Sequence, residues 1–142
     1  MSTQPLTLAW RWRATMAALT LAPLVHLVSL QRLTGWSTGR GSSRPEDHSV
    51  DDVALAEWVD RVLGCLPWPW RRTCLKRAIA IHALLARAGR PAALQVGVRR
   101  EPSGELAAHA WLTRKGLPVL EANPSELARL EVITSFGTEP SA

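Results

Sequence analysis

Residues 73–98 read TCLKRAIAIHALLARAGRPAALQVGV, and within them the apolar period changes from about 3.6 to 2. Leu75, Ala78, Ile79, Leu85 and Ala86 fall on one face of a helix expected over residues 74–88. Thr73 is placed to cap its start, and Gly89 and Pro91 close it in the order helix ends require. Beyond the glycine, Leu94, Val96 and Val98 alternate with Ala93, Gln95 and Gly97, the pattern of a strand. The rest of the chain can be laid out from this helix-to-strand junction.

Downstream, Pro102 and Gly104 mark a turn over residues 100–105, and a second strand is expected over 106–113. Arg114, Lys115 and Gly116 form a tight turn into a third strand over 117–121, and residues 130–136 suit a fourth. Upstream, Ser49-Val50-Asp51-Asp52 reads as a helix start with Ser49 as cap. Val53, Ala56, Val59 and either Val62 or Leu63 follow at helical spacing, with Gly64 at the C′ position and Pro67 beyond it. Alternating prolines and tryptophans at residues 67–70 exclude helix there. The expected fold class is α+β, with N-terminal helices followed by an antiparallel sheet. The expected organisation is a helical segment and linker over 1–48, a core over 49–136 and a flexible tail over 137–142.

Composition narrows the function. A chain of 142 residues, 46% hydrophobic and 20% charged, suits one domain with one core and excludes a disordered polyampholyte. The net charge of +5 comes almost wholly from arginine, since lysine occurs only at Lys76 and Lys115. These arginines are scattered rather than gathered on one element beside stacking aromatics, so no nucleic-acid partner is expected. A bridge between Cys65 and Cys74 would close only a short loop, and reduced thiols in a cytoplasmic setting are the expectation.

The N-terminal third raises a membrane question. Trp10-Arg11-Trp12-Arg13 precedes an uncharged run over residues 14–30, broken by Pro23 and His26 and diluted by Thr15, Thr20 and Ser29. Seventeen residues is the lower limit for a span. A buried or membrane-surface helix pair, bent at Pro23, is preferred, which leaves membrane association through this segment open. Trp10 and Trp12 suit either an interfacial position or core packing.

Of the two cysteines, Cys74 has the chemistry of a nucleophile. It sits in the first turn of a helix, where unpaired N–H groups and the macrodipole favour a thiolate, with Arg71 and Arg72 just before it. Cys65 follows a helix end and has none of this. The thiol needs a base. His82 lies about 12 Å along the same helix at ~1.5 Å per residue, which is too far. His26 and His48 have no supporting group in view. His109 sits mid-strand between small residues, and the next strand carries Glu121. Register decides whether the two meet. A three-residue Arg114-Lys115-Gly116 loop pairs Thr113 with Leu117 and sets His109 opposite Glu121. A two-residue Lys115-Gly116 turn sets His109 opposite Ala122 and sends Glu121 to the other face. A triad of Cys74, His109 and Glu121 therefore predicts the longer loop, with Asn123 as the alternative orienting group.

Taken together, Cys74-Leu75-Lys76-Arg77-Ala78, the run over residues 84–89, Leu94-Gln95-Val96-Gly97-Val98 and Ala108-His109-Ala110-Trp111-Leu112 resemble the lasso-peptide leader peptidases. These are the transglutaminase-like, papain-superfamily half of the maturation B protein, and the likeness covers about residues 50–136. The resemblance implies a papain-like core and a catalytic triad, with Cys74 and His109 carried over directly. The acid falls on Glu121, where many relatives have aspartate. It implies a cysteine peptidase, without cofactor or metal, that removes the leader from a ribosomally made precursor in antibiotic biosynthesis. The implied partners are that precursor, a separate leader-recognition protein and an asparagine-synthetase-like cyclase, as in a stand-alone peptidase of a split system. The alternatives are acyl transfer to an amine and a non-catalytic scaffold of the same fold that binds peptide or membrane. The Cys74 backbone N–H is the natural oxyanion donor, and no glutamine stands between Gln31 and Gln95 to serve as its partner.

Overall fold

The computed structural model describes residues 6–24, 27–29, 31–32, 51–67, 73–90, 92–121 and 124–136. Ser49, His26, His48, Arg71, Arg72, Ala122, Asn123 and the tail over 137–142 lie outside the described residues.

Helix α1, Leu8–Leu24, buries Trp10, Ala14, Ala18 and Ala22, one residue in four along a single stripe. Three of the four are alanines, so the helix can lie close against its neighbours. Two of the polar residues that dilute this segment are satisfied locally. The hydroxyls of Thr15 and Thr20 donate to the carbonyls of Arg11 and Met16, each at 2.8 Å. Trp58 Nε1 donates to Thr15 Oγ1 at 3.1 Å and ties α1 to the next helix. Trp10 and Trp12 part company: Trp10 is buried in the core, while Trp12 is 67% exposed. The guanidiniums of Arg13 and Arg11 lie over the rings of Trp10 and Trp58, 4.9 and 5.1 Å from their centroids. Pro23 falls inside the last turn of α1, and the expected second helix up to residue 30 is not found at residues 27–29, which form a turn and bend; residues 25, 26 and 30 lie outside the described residues. Among the described residues no helix is long and apolar enough to cross a membrane.

Helix α2, Asp52–Cys65, begins slightly later than the sequence suggests. Its cap is Asp51, whose carboxylate accepts from Val53 N at 3.0 Å. The buried face is Leu55, Ala56, Val59 and Leu63, whereas Val53 points outward. Gly64 is not a C′ residue, because the helix runs through it to Cys65 and Leu66 is the cap. Helix α3, Cys74–Arg87, starts at Thr73, whose hydroxyl accepts from Lys76 N at 3.3 Å. It ends in a Schellman turn: Arg90 N donates to Leu85 O and Gly89 N to Ala86 O, with Gly89 at φ 76°. Its burial is far wider than one stripe and takes in Ala78, Ile79, Ala80, Ile81, His82, Leu84 and Leu85. The cause is position, because α3 packs against α1 and α2 on one side and the sheet on the other.

The sheet comprises β1 (Ala93–Arg100), β2 (Leu106–Arg114), β3 (Leu117–Val119) and β4 (Glu131–Phe136). It has the order β3-β2-β1-β4 with antiparallel pairing throughout. A single helical turn, α4 (Pro124–Leu127), separates β3 from β4, which pairs on the far edge. Leu94, Val96, Ala110 and Leu112 join the helices in the core. By strand alternation Gln95, Gly97, His109 and Trp111 belong to the other face. Asp52 bridges Arg90 at 2.7 Å and Arg114 at 3.3 Å, fastening the start of α2 to the loop after α3 and the end of β2. The α+β layout expected from the sequence is the observed one.

Candidate active site

Cys74 is the first residue of α3 and is partly buried. The first backbone i→i−4 bond of this helix runs from Arg77 N to Thr73 O, and Lys76 N is taken by the Thr73 hydroxyl. The amides of Cys74 and Leu75 therefore lack an intrahelical acceptor and are suited to developing negative charge. Cys65 is exposed at the end of α2, and both thiols are free.

His109 lies on β2 opposite Gly97 of β1. On its other side β3 is too short to reach it, pairing only with Leu112, Thr113 and Arg114. The imidazole consequently sits at an open stretch of the sheet, 36% exposed. The Trp111 ring stacks beside it at 6.0 Å between centroids and 14° between planes. Trp111 in turn occupies the space over Gly97, where a Cβ would stand 2.8 Å from Trp111 Cη2 and 3.1 Å from the Glu131 carbonyl. The glycine thus gives the tryptophan its seat, and the tryptophan backs the histidine.

Glu121 Oε2 is 3.3 Å from His109 Nε2, with the carboxylate only 13% exposed. The route to this contact differs from the sequence expectation. The β2–β3 loop has two residues, because Arg114 pairs with Leu117. Lys115 and Gly116 both have positive φ, 53° and 74°, as the favoured two-residue hairpin turn demands. Continued as regular strand, this register would turn Glu121 away from His109. It does not continue. β3 stops at Val119, and Leu120 takes φ 61°, a left-handed conformation that breaks the alternation and returns Glu121 to the histidine. Arg77 meets this kink: its Nη2 donates to Leu120 O at 3.1 Å while its Nε donates to Asp60 Oδ1 at 2.7 Å.

These pieces enclose a cavity of about 330 Å³ lined by Cys74, His109, Glu121, Asp60, Arg77, Thr73, Ala110 and Leu120. His109 and Glu121 also wall a second hollow of about 400 Å³, whose far side is Arg99, Glu126, Leu127 and Leu130. Two larger hollows, about 590 and 630 Å³, contain neither cysteine nor histidine and lack a nucleophile. No hydrogen bond joins the Cys74 thiol to His109 in this state. With Nε2 turned to Glu121, Nδ1 is the ring nitrogen free to serve the thiol. Catalytic hydrogen bonds are commonly long until substrate is bound.

His82 takes no part. It is 1% exposed, with Nδ1 bonded to Ala92 O at 2.8 Å. Among the described residues no cluster of three or more His, Cys, Asp or Glu could hold a metal ion. Sequence reading missed Arg77, Asp60 and Leu120. Arg77 follows Cys74 by one helical turn, a spacing visible in the sequence, but its partners come from elements far along the chain.

The model of the transglutaminase-like superfamily matches residues 9–135, from α1 into β4. No curated protein and no solved structure matches the chain.

Proposed function

The chain belongs to the transglutaminase-like superfamily, and from that premise we propose that it is a cysteine peptidase that removes the leader from a ribosomally made lasso-peptide precursor. Members of this superfamily are usually cysteine-dependent enzymes, and the fold is one that supports hydrolysis or transfer through a thiol. The observation that carries the reading is the single cavity shared by a thiol at a helix tip and a histidine whose other nitrogen meets a carboxylate at 3.3 Å. The leader as substrate rests on the resemblance of the sequence to the leader peptidases.

In this reading His109 Nδ1 takes the proton of Cys74, and the thiolate attacks the carbonyl at the leader–core junction. The tetrahedral oxyanion is met by the Cys74 amide at the tip of α3. The C–N bond then breaks, and imidazolium returns its proton to the departing amine. A water deprotonated by His109 opens the thioester, releasing the leader carboxylate and restoring the thiol. Glu121 holds the ring in orientation and balances its charge during both proton transfers. A separate leader-recognition protein delivers the precursor, and an asparagine-synthetase-like cyclase consumes the free amine.

The superfamily match equally favours a second reading, in which an amine rather than water resolves the same thioester. Incubation of the protein with precursor and leader-recognition protein, with and without added amine, separates the two by mass. Hydrolysis yields a free leader carboxylate, and transfer yields the amide adduct. Cys74→Ala, shown by circular dichroism to be folded, is expected to lose turnover by at least about 10³-fold. Undiminished cleavage by that variant would exclude the proposal.

A further inference from the structure

The catalytic reading leaves Arg77, which lines the cavity, without a role. It stands on α3 three residues after Cys74, which lines the same cavity. Its guanidinium is shared between two elements. Nε is anchored by Asp60 of α2 at 2.7 Å, and Nη2 reaches the carbonyl of Leu120 at 3.1 Å. Leu120 is one of two non-glycine residues with positive φ among those described, and the other, Lys115, sits in a turn that requires it. Leu120 lies in a bend just past the end of β3. The conformation is costly for a leucine because of its Cβ, and it persists where surrounding contacts hold it. The bond from Arg77 acts at the carbonyl of that very residue. The kink matters because the hairpin register, left to run on, would present Glu121 to the wrong face.

We propose that Arg77 is a positioning residue for the acid: by gripping the Leu120 carbonyl it holds the left-handed kink that turns Glu121 onto His109. One side chain then couples the helix that presents the thiol to the segment after β3 that presents the carboxylate. Asp60 fixes the fork of the guanidinium so that Nη2 points at the carbonyl, a geometry that lysine cannot reproduce with its single nitrogen. This inference rests on the catalytic reading of Cys74, His109 and Glu121, but it can be tested without any substrate.

The test is the rate of Cys74 alkylation by iodoacetamide in the full chain, followed by peptide mass spectrometry, with exposed Cys65 as internal control. Wild type, Arg77→Ala, Glu121→Ala and the double variant are compared after circular dichroism shows each to be folded. The expected result is that Arg77→Ala slows Cys74 to the rate of Glu121→Ala, that the double variant is no slower than either, and that Cys65 is unchanged throughout. A wild-type Cys74 rate in Arg77→Ala overturns the proposal, and so does additive slowing in the double variant, which would mean that Arg77 acts independently of Glu121. If Arg77→Ala does not fold, Arg77→Lys takes its place in the comparison, and the same rates support or overturn the proposal. Where a cleavage assay is in hand, Arg77→Ala lowers kcat about 10²-fold while KM stays within about two-fold. A protein that cleaves nothing yet gives the expected alkylation pattern retains the positioning role and loses only the peptidase assignment.

Discussion

His82 and Leu120 are each held by a bond from elsewhere in the chain. The His82 ring is enclosed on α3, and because a carbonyl can only accept, its Nδ1 carries the hydrogen that meets Ala92 O. Its Nε2 is buried with no partner among the described residues, so protonation there would place a cation in the core. Burial lowers the pKa of His82 below the ordinary 6.5, and the bond to Ala92 opposes this only in part. The unfolded chain therefore binds this proton more readily than the folded one. The stability that goes with neutral His82 is complete above about pH 6.5 and drains away as pH falls below it. Thermal melts between pH 8 and pH 5 should show a fall that His82→Asn, which keeps a donor but cannot titrate in this range, flattens. Parallel melting curves for the two proteins would contradict this assignment. Leu120 stores a different cost, about 1–2 kcal/mol for a left-handed non-glycine residue. Nothing in the local sequence announces it, since the bond that sustains it comes from Arg77, 43 residues away.

Elements governed by their own residues are legible in the sequence, and those governed by neighbours are not. The start and stop of α3 follow from Thr73 and Gly89 because caps are local chemistry. The start of α2 differs from the sequence reading, which put the cap at Ser49: the carboxylate of Asp51 takes Val53 N and serves as cap. The buried face of α3 is wider than its sequence suggests because a helix enclosed between layers buries residues that periodicity assigns to water. The β2–β3 hairpin is the most instructive element. Sequence logic disfavours Lys115-Gly116 as a two-residue turn, because a regular strand after it separates His109 from Glu121. The chain uses that turn and recovers the contact through Leu120. At the centre of the sheet, Gly97 exists for Trp111. Gly97→Ala would drive a Cβ to 2.8 Å from Trp111 Cη2 and 3.1 Å from the backbone at Glu131. The expected loss is about 1–3 kcal/mol, as for other overpacked sites. Because Trp111 stacks on His109, activity should fall further than unfolding explains. Urea unfolding read alongside turnover at full folding measures both, and unchanged turnover would detach Trp111 from the site.

Across the whole molecule, the N-terminal helix is part of the body that carries the site. The stripe of Trp10, Ala14, Ala18 and Ala22 shares one core with Leu55, Ile81 and Leu112, so α1 backs the helix whose tip bears Cys74. Arg11 and Arg13, on either side of Trp12, lie over aromatic rings of the protein itself. Layer by layer, α1 and α2 support α3, α3 presents the thiol, and β2 and the segment after β3 bring histidine and carboxylate to the same cavity from sequence positions 35 and 47 residues further on. The α+β class and the place of Cys74 at the tip of α3 can be read in advance, since both depend on pattern and local caps. The measurement that meets the central claim most directly is acid-quenched intact-protein mass spectrometry during turnover of a precursor peptide. The account predicts a transient adduct with the mass of the acylated leader fragment, mapped to Cys74 and absent from Cys74→Ala. Leader release with no thioester at any time point, or with full rate in Cys74→Ala, would contradict it.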